Sequence, residues 1–310
     1  MTLTDRRLRF LRRLALLCVV MVLAVTSLSA YLRLSKAGLG CADWPACYGQ
    51  TLRHQQQGLA VPAEEQTATA AARLAHRITA SMALLLVITM LMVCFGSQPV
   101  LLREGMLALA LLGLALSLAV LGVWSSAARL PAVAMGNLLG GFMMLGLSVR
   151  LVFAGRPLHQ PGLRPWVGVA IVLVLLQVAL GVLVSASYAG LSCTSLSSCS
   201  LGEALRSADW GQLNPWREPV LDATPPVQPS GVLAHSLHRH MALLVALWVI
   251  PLGIAALRRG RRATGAVLLA LLIAQLAVGL AMTVLALPLA PALAHNLLAA
   301  ALLATLLTLF

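Results

Sequence analysis

Apolar residues run in eight long stretches along this chain, separated by short polar or proline-bearing connections and two longer loops. None of the stretches alternates as a half-buried strand does, and each approaches the roughly 20 residues that a helix needs to cross a hydrocarbon core. The first, residues 14–29, follows a basic leader. The others are expected at about 71–95, 105–126, 132–154, from Pro165 to about 186, 232–256, 264–286 and from 290 onward. Residues 1–31 also have the outline of a secretory leader. The apolar run is long for one, and Ser27-Leu28-Ser29-Ala30 is an ambiguous cleavage site. The reading is therefore a retained first helix in an all-α polytopic membrane protein of eight transmembrane helices.

The pattern repeats. Residues 37–47 (AGLGCADWPAC) and 189–199 (AGLSCTSLSSC) match at Ala, Gly, Leu and both cysteines, in external loops at about 33–70 and 187–231. Each is followed by a helix that opens on a His-Arg pair, at 76–77 and 238–239. Farther on, Asn137-Leu-Leu in the fourth segment echoes His295-Asn296-Leu-Leu in the eighth. The expected architecture is two pseudo-symmetric four-helix bundles, residues 1–155 and 165–310, joined by a short cytoplasmic loop.

Composition fits a membrane protein. Of 310 residues, 60% are apolar and 10% charged, against about 25% charged in a soluble domain. The net charge of +13 would suit nucleic acid, but its distribution excludes that partner. Arg6, Arg7, Arg9, Arg12 and Arg13 precede the first segment, Arg150, Arg156 and Arg164 flank the central loop, and Arg258, Arg259, Arg261 and Arg262 separate the sixth and seventh. Most acidic residues, among them Asp43, Glu64, Glu65, Glu203, Asp209 and Glu218, lie in the two long loops. Positive charge on the cytoplasmic side puts the N-terminus inside and the cysteine loops outside.

Of six cysteines, Cys18 and Cys94 sit in apolar segments. Cys41 with Cys47, and Cys193 with Cys199, face the oxidising side with five residues between them and read as two local disulfides. They would shape a lid over each half. Metal binding by these pairs is the weaker reading, since no histidine stands near either with zinc-like spacing.

The chemistry lies in the polar residues that intrude on the apolar segments. A histidine or arginine in hydrocarbon is costly and marks a functional site. His238 and His295 enter the sixth and eighth segments at similar depth, and two imidazoles facing across a bundle can hold a haem iron from both sides. Hydrogen bonding between the helices is the alternative. His235, three residues before His238, would orient a propionate or a water. Arg77 and Arg239 would meet haem propionates, or reach up to lipid headgroups instead. His76 is the corresponding ligand candidate in the first half, where Asn137 stands in place of its partner.

These residues resemble the haem A synthase family, which oxidises a methyl group of haem O to a formyl for cytochrome c oxidase maturation. The resemblance is carried by GLGCADWPACYGQ at 38–50, AHR at 75–77, LLGGF at 138–142, YAGLSC at 188–193, HSLHR at 235–239 and AHNLLAA at 294–300. It implies haem b between His238 and His295, and haem O as substrate near His76. It further implies contact with the oxidase assembly machinery and with haem O synthase, in the inner membrane of a bacterium, with a homo-oligomer allowed. In that family a glutamate stands three residues before the first N-half histidine, and a second histidine faces it; this chain has Arg73 and Asn137 there. His54 and His159 are too far away to substitute, and Glu64 and Glu65 are the nearest upstream carboxylates. The alternative reading is a non-catalytic, haem-binding assembly paralogue.

Overall fold

The structure is a computed structural model that describes residues 2–59, 63–125, 130–156, 162–195, 198–206, 209–221 and 227–310. Eight of its helices are long and apolar enough to cross a bilayer, so this is a multi-pass membrane protein. They are α1 (Leu3–Lys36), α3 (Ala63–Phe95), α4 (Leu102–Ser125), α5 (Pro131–Val152), α6 (Arg164–Ala186), α8 (Val232–Arg258), α9 (Arg262–Val284) and α10 (Leu289–Leu307). Two short helices, α2 (Gln50–Gln56) and α7 (Leu201–Arg206), lie in the long loops. No strand occurs among the described residues.

Most ends fall close to where turn chemistry expects them. Pro131 and Pro165 sit in the first turns of α5 and α6, where a missing N–H goes unnoticed. Two helices are longer than the apolar pattern suggests. α1 begins at Leu3, held by a capping box between Thr2 and Asp5. α3 begins at Ala63, ahead of its apolar part. The alanines between Thr67 and Leu74 explain it, being strong helix formers with no need of hydrocarbon around them.

The helices pack as two rings of four. In the first, α1 and α4 each touch both α3 and α5; in the second, α6 and α9 each touch both α8 and α10. α8 and α10 thus stand at opposite corners, as α3 and α5 do. The rings meet where α5 contacts α6 and where α10 contacts α1 and α5. Glycines set the closest approaches. A Cβ on Gly141 would come within 2.6 Å of Thr26 on α1, and one on Gly265 within 2.8 Å of the Gly253 carbonyl on α8. Fully buried Leu11, Phe142, Leu145, Val167, Leu268 and Leu306 fill one continuous core through both rings.

At the end that carries the arginine clusters, side chains close helix termini. Arg7 donates to the carbonyls of Val93 (2.6 Å) and Pro99 (2.8 Å), and Arg12 to that of Ala154 (2.8 Å). Guanidinium groups there satisfy the last carbonyls that a helix leaves open.

Candidate functional site

The second ring positions the site. His238 lies on the second turn of α8 and His295 on the second turn of α10, at opposite corners. Their rings nevertheless meet in the middle, with centroids 6.4 Å apart and planes at 65°. The flanking helices supply the rest of the wall. Gln177 on α6 places its Nε2 3.4 Å from His238 Nε2 and 3.1 Å from the His238 carbonyl. Gln275 on α9 places its Nε2 3.0 Å from His295 Nε2. A Cβ on Gly181 would lie 2.9 Å from His238 Cε1, and one on Gly279 3.3 Å from His295 Cε1. Both histidine Nδ1 atoms and both glutamine Oε1 atoms are buried without a hydrogen-bond partner. Sequence reading passed over these two glutamines, although they are the only ones within the apolar parts of the eight spans, the second of which is Thr69–Phe95.

The neighbouring polar residues have other work. His235 is buried and its Nδ1 lies 2.9 Å from the Ala189 carbonyl, so it ties the start of α8 to the chain leaving α6. Ser236 donates to the Cys199 carbonyl at 3.1 Å. Arg239 donates to the carbonyls of Cys193 (2.8 Å), Ser195 (2.9 Å) and Ser198 (3.4 Å). Its guanidinium thus clasps the second cysteine loop, a use that the expectation of propionate or headgroup contact did not include. The third histidine of that run, His240, is exposed, and its Nδ1 lies 2.8 Å from the Ser236 carbonyl.

Disulfides join Cys41 to Cys47 and Cys193 to Cys199, while Cys18 and Cys94 are free and buried. The first loop reaches from the end of α1 over the second ring. Trp44 donates from Nε1 to the Ala286 carbonyl at 2.8 Å, in the turn between α9 and α10. Tyr48 accepts from the Gly190 N–H at 3.3 Å and packs against Tyr188. With Leu34, Ala37, Leu39, Leu191 and Ala292 these form a small core where α1 ends and α10 begins, one turn from His295. Burial pushes the Tyr48 phenol well above its ordinary range, against a smaller opposing pull from the Gly190 N–H. Gly38, with φ +97°, permits the hairpin-like return, since any Cβ there would collide with the Cys47 carbonyl.

The first ring is less complete. His76 and Asn137 stand half-buried on α3 and α5, at opposite corners, and neither side chain has a hydrogen-bond partner among the described residues. Arg73 and Arg77 are exposed and make no ion pair among the described residues. The side chains of Glu64 and Glu65, and His159, lie outside the described residues.

Residues 12–307 match the model of a family described as "Cytochrome oxidase assembly protein". The chain is also 32% identical to a protein named "Heme A synthase" from Shewanella oneidensis (strain MR-1), over 94% of this chain and 92% of that one.

Proposed function

Because the chain belongs to the cytochrome oxidase assembly protein family, we propose that it serves haem A synthesis, holding haem b in its second ring and receiving haem O beside His76 in its first. The two rings are then two halves, 1–155 and 165–310. The observation that carries the reading is the convergence of His238 and His295, from opposite corners of one helix ring, to 6.4 Å. Imidazole nitrogens in hydrocarbon need partners, and a metal ion bound between the two inward-facing rings would engage one nitrogen of each. Gly181 and Gly279 give the rings clearance. Haem b, when bound there, supplies a one-electron redox centre. The protein's part is to hold both imidazoles facing inward, exclude water with apolar walls, and cover the outer end with the two disulfide loops.

Haem O, the substrate, would meet His76 as its protein ligand, with Arg77 available for a propionate. The N-terminus and arginine clusters face the cytoplasm and the cysteine loops the periplasm, in a bacterial inner membrane. Haem O arrives from the enzyme that makes it, and the product passes to oxidase assembly.

A second reading, a haem-holding relative that does not turn over, is favoured by Arg73 and Asn137. An arginine stays protonated and cannot take up a proton as a carboxylate does, and Asn137 is a poor iron ligand.

Optical and EPR spectra of the purified protein test the haem b assignment. One low-spin, six-coordinate haem b is expected, abolished by His238→Ala or His295→Ala and largely spared by His76→Ala. Loss with His76→Ala but not with His238→Ala would reverse the assignment of the rings.

A further inference from the structure

The apolar parts of the spans contain two glutamines, Gln177 and Gln275, and both are spent on a histidine. The arrangement recurs. One helix carries Gln-x-x-x-Gly (177 to 181 on α6, 275 to 279 on α9), and the next long helix in the chain brings its histidine against both positions. Residues four apart share a helix face, so each imidazole is met by an amide and then by a gap where a Cβ would collide.

The atoms in contact identify what the amide does. Gln177 Nε2 donates to the His238 carbonyl at 3.1 Å, and a carbonyl only accepts, so that atom is the amide nitrogen. Its other N–H faces His238 Nε2 at 3.4 Å, and Gln275 Nε2 faces His295 Nε2 at 3.0 Å. A ring nitrogen facing an N–H offers its lone pair, so the ring proton sits on Nδ1. The occupied lone pair is the one a metal takes. We propose that Gln177 and Gln275 are positioning residues that reserve the ligating nitrogens of His238 and His295, each amide holding the Nε2 lone pair until iron displaces it. This rests on the haem-holding reading above.

Two consequences follow, and both act in one direction. In the haem-free protein the amide keeps the Nε2 atom of each imidazole paired and pointing inward. In the loaded protein the displaced amide must find another partner, which leucine does not need. Removing the amide therefore favours the loaded state, by about fivefold per site for one neutral hydrogen bond.

The test uses the full-length protein in detergent, with Gln177→Leu, Gln275→Leu and the double variant. Gln→Asn, too short to reach, repeats each measurement wherever a leucine variant fails to fold. In haem-free protein carrying ¹⁵N-histidine, NMR should show the Nδ1–H tautomer with a hydrogen-bonded Nε2. In the variants that nitrogen should move to the position of a free acceptor. In loaded protein, transfer of haem to excess apomyoglobin should slow about fivefold per variant, with the low-spin spectrum kept. Faster transfer, a high-spin spectrum or an Nε2–H tautomer overturns the proposal. If instead His238→Ala and His295→Ala leave haem transfer unchanged, the haem-holding reading falls, and the NMR of the haem-free protein still decides what the amides hold.

Discussion

The Arg239 guanidinium donates to the Cys193 carbonyl at 2.8 Å, tying the residue after His238 to the second cysteine loop. Arg239→Met keeps the apolar stem and removes the clasp on Cys193, Ser195 and Ser198. Charge-assisted bonds of this kind contribute about 1.5–3 kcal/mol. Hydrogen exchange at 193–195 should quicken accordingly while the apolar spans keep their protection. Unchanged exchange there, together with loss of haem, would assign the guanidinium to a propionate instead.

Trp44→Phe should loosen the second ring although Trp44 belongs to the first. The substitution leaves the Ala286 carbonyl without its donor, a loss of about 1 kcal/mol. Exchange in the turn at 285–288 reports it. A response confined to residues 3–95 would contradict the docking.

Gly181→Ala and Gly279→Ala should differ in severity. The added methyl comes 2.9 Å from His238 Cε1 in the first case and 3.3 Å from His295 Cε1 in the second. Overpacking of the tighter site should lower stability by about 1–3 kcal/mol, with the milder effect at Gly279. Thermal unfolding of the two variants side by side checks the order.

Tyr48 gives a pH dependence. Burial holds its phenol protonated in the folded protein, whereas in the unfolded chain it ionises near about pH 10. Folded protein binds the proton more tightly, so the stability tied to Tyr48 is complete below about pH 10 and declines as the pH climbs above it. Tyr48→Phe should flatten that alkaline decline. Identical slopes of melting temperature between pH 9 and 11 would show that the phenol is not buried in solution.

The first ring yields the prediction about activity. Haem O conversion by the unaltered chain should be weak, and Arg73→Glu with Asn137→His should raise it by on the order of 100-fold, the low end of what a placed proton acceptor contributes. Chromatography of haems from cells co-producing haem O measures it. Robust haem A from the unaltered chain would show that neither residue is needed.

The spans were legible because hydrocarbon demands unbroken apolar runs, and His238 and His295 stood out against that background. Gln177 and Gln275 were equally conspicuous intruders, each four residues before a glycine, and attention to single polar residues in apolar runs would have found them. The seat of the first loop was not legible. Trp44 binds a backbone carbonyl, which every residue offers, and the rest of the contact is leucine, alanine and tyrosine with no complementary signature. The polar start of α3 escaped for another reason, since alanine propensity rather than apolar periodicity extends it.

The docking of Trp44 on Ala286 also orders events in time. The two residues are 242 positions apart, and a ribosome adding about 5–20 residues per second takes at least about ten seconds to travel from one to the other. Through that interval the first loop is free to close its cysteine pair, but Trp44 has no partner. Its seat is complete only once the turn after α9 has been made, so the cover of the second ring is finished among the last steps of biosynthesis. A chain stopped before residue 285 would leave the Trp44 indole N–H without its carbonyl partner.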